Sequence, residues 1–155
     1  MTATVHLICG RICSGKSHYA AALREKEGGV ILGCDEFTLL LPDLGSLHDE
    51  VTGRLRALLM EKAAEIALNG CPVILDWGFW QAAYRRDTTA YFRGRGVPVR
   101  WHYIAAGEDA LRRHIEARNA AGTGYYVDEG LYRKCLSLFE APAREEMDEW
   151  IVPEA

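Results

Sequence analysis

The chain has 155 residues, of which 49% are hydrophobic and 26% charged, a composition typical of one folded domain. Eighteen basic against twenty-two acidic residues leave a net charge of −4, which argues against a broad basic face for long nucleic acids. No apolar run reaches the roughly 18 residues of a membrane-spanning helix, and the N-terminus lacks a signal-peptide pattern. Five scattered cysteines, without a CxxC pair or a histidine cluster, predict reduced thiols in the cytoplasm.

Short β-rich runs alternate with longer amphipathic stretches along the chain. Strands are predicted at 5–9, 30–32, 72–75, 99–104 and 150–152. Helices are predicted at 15–26, 47–68, 81–93, 108–119, 128–138 and 142–149. The long second helix carries its predicted apolar stripe on Leu47, Val51, Leu55, Leu58, Leu59 and Ile66. This alternation predicts an α/β fold with a parallel sheet covered on both faces, in a single domain over 1–155.

A phosphate-binding pattern lies between the first predicted strand and the first predicted helix. Residues 10–17 read GRICSGKS and match GxxxxGK[ST] completely, in the structural context that the pattern requires. Glycines let the backbone N–H groups converge on phosphate oxygens, and the helix N-terminus adds the positive end of its dipole. The residues expected to bind nucleotide phosphates are therefore Gly10, Arg11, Ile12, Cys13, Ser14, Gly15, Lys16 and Ser17.

Particular side chains of this loop receive more specific predictions. Lys16 supplies a mobile cation for the β- and γ-phosphates, and the Ser17 hydroxyl is a ligand for Mg²⁺. His18 is included among the expected nucleotide contacts, although a histidine at such a position is more often a surface or core residue. A redox role for Cys13 is the weaker alternative, because the loop needs its backbone there more than any particular side chain.

Two aspartates stand at the ends of predicted strands. Asp35 follows the second strand and Asp76 ends the third. Because ligands gather outside the carboxyl ends of parallel strands, Asp35 is expected to orient a substrate hydroxyl and accept its proton. Asp76 has the form of an acid that holds Mg²⁺ through water. A helix cap or a turn is the alternative for each aspartate.

The motifs together resemble the small P-loop kinase-like ATP-binding proteins, a family similar to chloramphenicol phosphotransferase, gluconate kinase and the zeta-toxin kinases. The resemblance rests on segments 10–17, 34–36, 75–80 and 116–119 and on the arginines that follow position 80. It implies a P-loop NTPase three-layer α/β/α fold with a five-stranded parallel sheet in the order 2-3-1-4-5. It also implies ATP as the nucleotide and transfer of its γ-phosphate to a hydroxyl of a small molecule. Switch-type GTPases are disfavoured because the chain lacks an NKxD tetrapeptide.

A lid is predicted over 112–127, after the fourth strand. Leu111, Ile115 and Arg118 share one helix face, and an arginine in register with a buried stripe is costly unless it meets an anion. Arg118 is therefore expected to close over the γ-phosphate, as the resemblance also implies, with a snorkelling side chain as the alternative. Arg113 is a further candidate for nucleotide contact. The Gly-rich segment after this helix is a lid hinge or an ordinary loop.

Each residue expected on the acceptor side of the site has two interpretations. Phe79 and Trp80 wall an acceptor pocket or pack in the core, and Phe37 lines that pocket or packs a helix on the sheet. Arg85 clamps substrate or phosphate, in line with the family pattern, or forms a surface ion pair. The predicted function is ATP- and Mg²⁺-dependent phosphorylation of a metabolite, sugar acid or antibiotic. The alternatives are a nucleotide-binding regulatory ATPase with little transfer and a polynucleotide or sugar-nucleotide kinase.

Overall fold

A five-stranded parallel sheet forms the centre of the computed structural model, which describes residues 1–122 and 125–153. The strands are β1 (Val5–Gly10), β2 (Val30–Ile31), β3 (Val73–Gly78), β4 (Val99–Ile104) and β5 (Glu149–Ile151). They lie in the order β2-β3-β1-β4-β5, and each neighbouring pair is parallel. The predicted α/β class and strand order are confirmed, and they are those of the P-loop NTPase fold.

Helices connect the strands and cover both faces of the sheet. They are α1 (Lys16–Glu27), α2 (Cys34–Thr38), α3 (His48–Leu68), α4 (Ala82–Arg93), α5 (Glu108–Ala121) and α6 (Glu129–Leu138). Single 3₁₀ turns occur at Gly45–Leu47 and Arg144–Glu146. Within the part of the chain that the structure describes, no helix combines the length and apolarity needed to cross a membrane.

The central strand β1 is buried on both sides, and its alternating residues enter two different packing layers. Val5, Leu7 and Cys9 pack in one layer with α3 and α4. Ile8 faces the opposite layer, where it meets Leu23 of α1. This two-sided burial is why β1 reads as a continuous apolar run rather than an alternating one. It holds the end of β1, and the loop that follows, in a fixed place.

The buried face of α3 differs from the predicted apolar stripe. Leu47 and Leu58 are 54% and 50% exposed, whereas Leu59, Ala63 and Ala67 are buried. The small alanines lie against the sheet and leave little room for larger side chains. A stripe of alanines carries a weak hydrophobic signal, so the more apolar leucines on the other side dominate the pattern.

Three other element predictions differ from the structure. The predicted helix over 142–149 is wrong: only the single turn Arg144–Glu146 forms, and β5 already begins at Glu149. Extended backbone at Met147 (φ −110°, ψ 137°) ends this turn and leads into the strand. β2 is shorter than expected, ending at Ile31, and β3 continues past Asp76 as far as Gly78.

A chain of polar side chains crosses the α1 side of the sheet. The Tyr19 hydroxyl lies 2.7 Å from His102 Nδ1, and His102 Nε2 lies 2.9 Å from His6 Nδ1. His6 Nε2 in turn faces Glu27 at 3.4 Å. Each ring then donates once and accepts once, as two neutral imidazoles require. Burial lowers the pKa of His102 to about 4, and it also lowers the pKa of His6.

The neutral His102 makes stability depend on pH. The pKa of His102 is about 4 in the folded chain and 6.5 in the unfolded chain. The free energy of unfolding is therefore highest above pH 6.5 and decreases as the pH falls towards 4, because the unfolded chain binds the proton more readily. The free energy of unfolding should fall by up to about 3 kcal/mol over this interval. His102→Gln should flatten the slope and exposed His18→Gln should not, as measured by urea unfolding at several pH values. Equal slopes in the wild type and His102→Gln would contradict this.

Candidate functional site

The loop between β1 and α1 curls into a cradle of backbone amides. Cys13 and Gly15 have φ values of 56° and 99°, in the left-handed region that turns successive N–H groups to one side. The loop also closes back on its own beginning, because a Cβ on Gly10 would lie 2.5 Å from Ser14 Oγ. The buried Ser14 Oγ has no hydrogen-bond partner among the described residues. An anion is the ligand that such a cradle accepts.

The half-buried Lys16 lies at the first turn of α1, and its Nζ donates to the Arg11 carbonyl at 2.8 Å. Burial lowers the pKa of Lys16, and the negative charges of Asp76 and Asp35 oppose that shift. The Lys16 ammonium is therefore partly removed from water, and Asp76 and Asp35 compensate only part of the free energy that this costs. A ligand that brings further negative charge would stabilise the ammonium.

Asp76 is half-buried near the end of β3, opposite the loop. Burial raises the pKa of Asp76, while Lys16 and the Ser17 hydroxyl oppose the shift. The end of β2 comes close to this carboxylate, since a Cβ on Gly33 would lie 3.3 Å from Asp76 Oδ1. Asp35 follows in the first turn of α2 and is exposed to the same cleft. Three strand ends thus bring Lys16, Asp35 and Asp76 together.

The cleft in front of the loop has a volume of about 1600 Å³. A pocket for one drug-sized ligand occupies roughly 300–1,000 Å³, so this cleft has room for two ligands side by side. The predicted site residues that line it are Ile12, Cys13, Ser14, Gly15, Lys16, Ser17, His18, Asp35, Asp76, Phe79, Trp80 and Arg118.

Five predicted site residues do not line the cleft. Gly10 is buried beneath the loop, and the Arg11 guanidinium lies over the Phe139 ring, 5.5 Å from its centroid. Phe37 is 37% exposed on α2, and Arg113 is exposed on α5. Arg113 lies two residues from both Leu111 and Ile115, the buried residues of α5, and therefore on the opposite side of that helix.

Arg85 is the fifth, and its position differs most from the prediction. The side chain is 3% exposed, and its Nε donates to Glu146 Oε1 at 3.1 Å. Nη1 donates to the Phe79 carbonyl at 2.8 Å. The guanidinium therefore joins α4 to the chain that precedes β5 and supports the segment after Asp76. Its donors are used inside the protein rather than offered to a substrate.

The aromatic residues after Asp76 hold the backbone as much as they line the cleft. Gly78 and Phe79 have φ values of 86° and 49°, so the chain turns sharply at the end of β3. Trp77 Nε1 donates to the Leu32 carbonyl at 2.7 Å, and Trp80 Nε1 donates to the Gly10 carbonyl at 3.0 Å. These two indoles connect β3 to the ends of both neighbouring strands.

Phe79 and Trp80 differ in how much they can offer a ligand. Phe79 is 3% exposed and packs edge-on against Trp101 at 5.0 Å between ring centroids. Trp80 is only half-buried. The core interpretation therefore fits Phe79 better, whereas Trp80 presents an accessible ring to the cleft.

Helix α5 closes the cleft on the nucleotide side of the loop. His114 Nδ1 donates to the Cys13 carbonyl at 2.8 Å, and Arg118 Nη1 donates to Cys13 Sγ at 3.6 Å. The sequence patterns do not identify His114 as a site residue, although it lies one turn before Arg118 on the same helix. Arg118 is half-buried at the cleft wall, as its register with Leu111 and Ile115 predicts.

The predicted lid is helical over its first ten residues, 112–121. Its proposed hinge lies partly at residues 123 and 124, outside the described residues. Asn119 of α5 makes two hydrogen bonds, at 2.7 and 2.9 Å, to the backbone of Val127, which follows the predicted hinge. The Tyr125 hydroxyl lies 3.0 Å from Thr38 Oγ1 of α2. The segment after α5 thus reaches across the cleft to the helix that carries Asp35.

Arg56 of α3 also lines the cleft, and the sequence patterns did not single it out. Its position could identify it, because Arg56 lies three residues before Leu59 on the face of α3 that is buried. The apolar pattern predicts the buried face along the leucines instead, and so gives no reason to single out Arg56.

The cradle, the paired acids and the strand order define a P-loop nucleotide-binding domain of the kinase-like type. A family model described as AAA domain matches residues 5–142, so the chain belongs to that family. No curated protein matches the chain.

Solved structures share the fold at low sequence identity. An APS kinase of Mycobacterium tuberculosis, solved with AMPPNP and APS, has 17% identity and a TM-score of 0.70 over 99% of this chain and 90% of its own. A gluconokinase from Sinorhizobium meliloti 1021 has 19% identity and a TM-score of 0.65 over 97% and 81%. A chain of the Pnkp1/Rnl/Hen1 RNA repair complex has 14% identity and a TM-score of 0.70 over 88% of this chain but 44% of that one. The present chain thus spans under half the length of that relative.

The position of Arg85 predicts a structural rather than a substrate-binding role. Arg85→Met should lower the free energy of unfolding by about 2–4 kcal/mol, because it leaves Glu146 and the Phe79 carbonyl without their partner. The adjacent, exposed Arg86→Met should change it by less than about 0.5 kcal/mol. Urea unfolding monitored by circular dichroism measures both values. Equal stability of the two variants would contradict the structural role.

Proposed function

We propose that the chain is an ATP-dependent phosphotransferase of the cytoplasm, which moves the γ-phosphate to a hydroxyl of a small molecule. The observation that carries this proposal is the meeting of Lys16, Asp35 and Asp76 in one cleft, beside an amide cradle and with room for a second ligand. A module that only binds nucleotide has no use for an exposed carboxylate at the entrance to a second ligand space.

The charged side chains divide the work of phosphoryl transfer. In the proposed reaction Lys16 and Arg118 stabilise negative charge on the phosphoryl group as it moves, and the loop amides hold the phosphates in place. Asp35 orients the acceptor hydroxyl and accepts its proton. Its exposure at the first turn of α2 gives an incoming acceptor direct access to it.

The residues around Asp76 fit a magnesium ion. Ser17 and Asp76 offer a hydroxyl and a carboxylate, the hard oxygen donors that Mg²⁺ prefers, with phosphate oxygens and water as the remaining ligands. Within residues 1–122 and 125–153 no cluster of three His, Cys, Asp or Glu residues could hold a metal ion. Ion binding would therefore depend on the nucleotide. Bound there, Mg²⁺ supplies charge neutralisation at the phosphates.

Substitution of Asp35 separates transfer from binding. Asp35→Asn should lower kcat by about 10²- to 10⁴-fold, because the base is lost, while the affinity for ATP changes little. Asp87→Asn, on the exposed surface of α4, is the matched control and should keep full activity. Coupled detection of ADP and calorimetric titration with an ATP analogue give the two quantities. Wild-type transfer by Asp35→Asn would refute the assignment of the base.

The acceptor is to be found by a screen of ATP consumption. Hydroxylated metabolites, sugar acids and antibiotics are offered singly with ATP and Mg²⁺, and Lys16→Ala serves as the blank. We expect acceptor-dependent ADP formation with a phosphorylated product, absent in Lys16→Ala because that variant loses the cation for the β- and γ-phosphates. Nucleotide turnover that no acceptor accelerates would instead favour a regulatory ATPase.

A polynucleotide kinase is the competing enzyme, and the similarity to a chain of an RNA repair complex is the observation in its favour. The net charge of −4 argues against it, because long nucleic acids are bound through many phosphate contacts from basic residues. Acceptor binding that weakens steeply with salt would favour the polynucleotide, whereas binding that is nearly independent of salt favours a small acceptor.

A further inference from the structure

The face of α3 that meets the sheet changes character along the helix. Its second half places Leu59, Ala63 and Ala67 in the core. Continued towards the N-terminus at the same three- and four-residue spacing, the face carries Arg56, Thr52 and His48. Arg56 and His48 line the cleft, so this polar half of the face begins where α3 leaves the sheet.

The guanidinium of Arg56 lies beside the residue that precedes Asp35. Burial raises the pKa of the Cys34 thiol, and the charge and a hydrogen bond of Arg56 oppose this shift. Burial raises the pKa of the half-buried Tyr84 hydroxyl, and the charge of Arg56 opposes this rise as well. Cys34, Arg56 and Tyr84 all line the cleft, and α2 packs against α3, so Arg56 lies on the same side of the cleft as Asp35.

The hydrogen-bonding capacity of Arg56 is only partly used within the protein. Its Nε is buried and has no partner, and no ion pair joins Arg56 to a carboxylate among the residues that the structure describes. Arg85, the other inward-facing arginine of this region, shows the contrast, because Glu146 and the Phe79 carbonyl take up its donors. A withdrawn guanidinium with unmet donors is costly unless a ligand satisfies it. A planar fork of N–H groups matches an oxyanion best.

We propose that Arg56 binds an anionic group of the acceptor, so that the acceptor is a hydroxylated carboxylic acid or a hydroxylated phosphate ester rather than a neutral sugar or polyol. The inference rests on the proposed phosphotransferase function, since it concerns the second ligand of that cleft. The anion at Arg56 and the hydroxyl at Asp35 would hold the acceptor at two points, one on α3 and one on α2.

The test measures binding of matched small molecules to protein already loaded with ADP and Mg²⁺, so that the phosphate loop is occupied. Three probes share a three-carbon scaffold: glycerate, glycerol 3-phosphate and glycerol. Three share a six-carbon scaffold: gluconate, glucitol 6-phosphate and glucitol. Calorimetric titration gives the dissociation constants. On at least one scaffold an anionic probe should bind at least about tenfold more tightly than the neutral one. The carboxylate and phosphate arms identify the preferred oxyanion.

Variants of two nearby arginines assign the preference to one side chain. Arg56→Gln should abolish the preference for the anion, and Arg56→Lys should retain part of it because the charge remains without the fork. Arg54→Gln is the matched control: it removes the same charge two residues away, on an exposed side chain paired with Glu50, and should leave the preference intact. Unchanged affinity for ADP in each variant reports a folded protein. Should Arg56→Gln not fold, the partial loss in Arg56→Lys carries the test.

The proposal is overturned if no anionic probe is preferred, if Arg56→Gln keeps the preference, or if Arg54→Gln loses it equally. These outcomes are separate from failure of the phosphotransferase function. Transfer to neutral acceptors alone would refute the anion site and leave the enzyme assignment standing. An Arg56-dependent anion preference without phosphoryl transfer to any acceptor would refute the enzyme assignment and leave the anion site.

Discussion

The attraction between the opposite, half-buried charges of Lys16 and Asp76 across the cleft is the interaction on which the site depends. Each group loses hydration, which lowers the pKa of the lysine and raises that of the aspartate, and each partly restores the other. Removal of either would leave an uncompensated charge away from water, which is far more costly than the exposed ion pairs elsewhere on the chain. Because the two charges offset each other, an incoming polyphosphate requires further cations, and Arg118 is one that lines the cleft.

The strand order brings the residues of the site to one edge of the sheet. β1 and β3 are neighbours in the sheet, so the phosphate loop and Asp76 share one edge although 60 residues separate them along the chain. β2 lies beyond β3 and delivers Asp35 to the acceptor side, whereas β4 lies beyond β1 and delivers α5 with Arg118 to the nucleotide side. Asp35 and Arg118 therefore come to the cleft from opposite sides of the β1–β3 pair, an arrangement that suits the proposed transfer between two ligands.

Local pattern was enough to predict the five strands and the loop between β1 and α1, apart from the ends of β2 and β3, because each depends on neighbours in sequence. Arg85 was misplaced because its partner Glu146 lies 61 residues away, and spacing along one helix cannot reveal such a contact. Arg56 was missed for a related reason: the face of α3 that it occupies packs through alanines, whose small size gives close helix–sheet contact but little hydrophobic contrast. The strand order itself came from resemblance, since periodicity does not determine which strands are neighbours.

The floor and the walls of the cleft differ in how firmly the structure holds them. The floor is rigid, because the indoles of Trp77 and Trp80 tie β3 to the carbonyls that end β2 and β1. At the surface, the hydrogen bond between the hydroxyls of Tyr125 and Thr38 links the segment after α5 to the helix of Asp35. One exposed hydrogen bond contributes about 1 kcal/mol at most. The lid predicted from the sequence would therefore meet little resistance from this one bond, whereas Lys16 and Asp76 lie at strands β1 and β3 of the sheet.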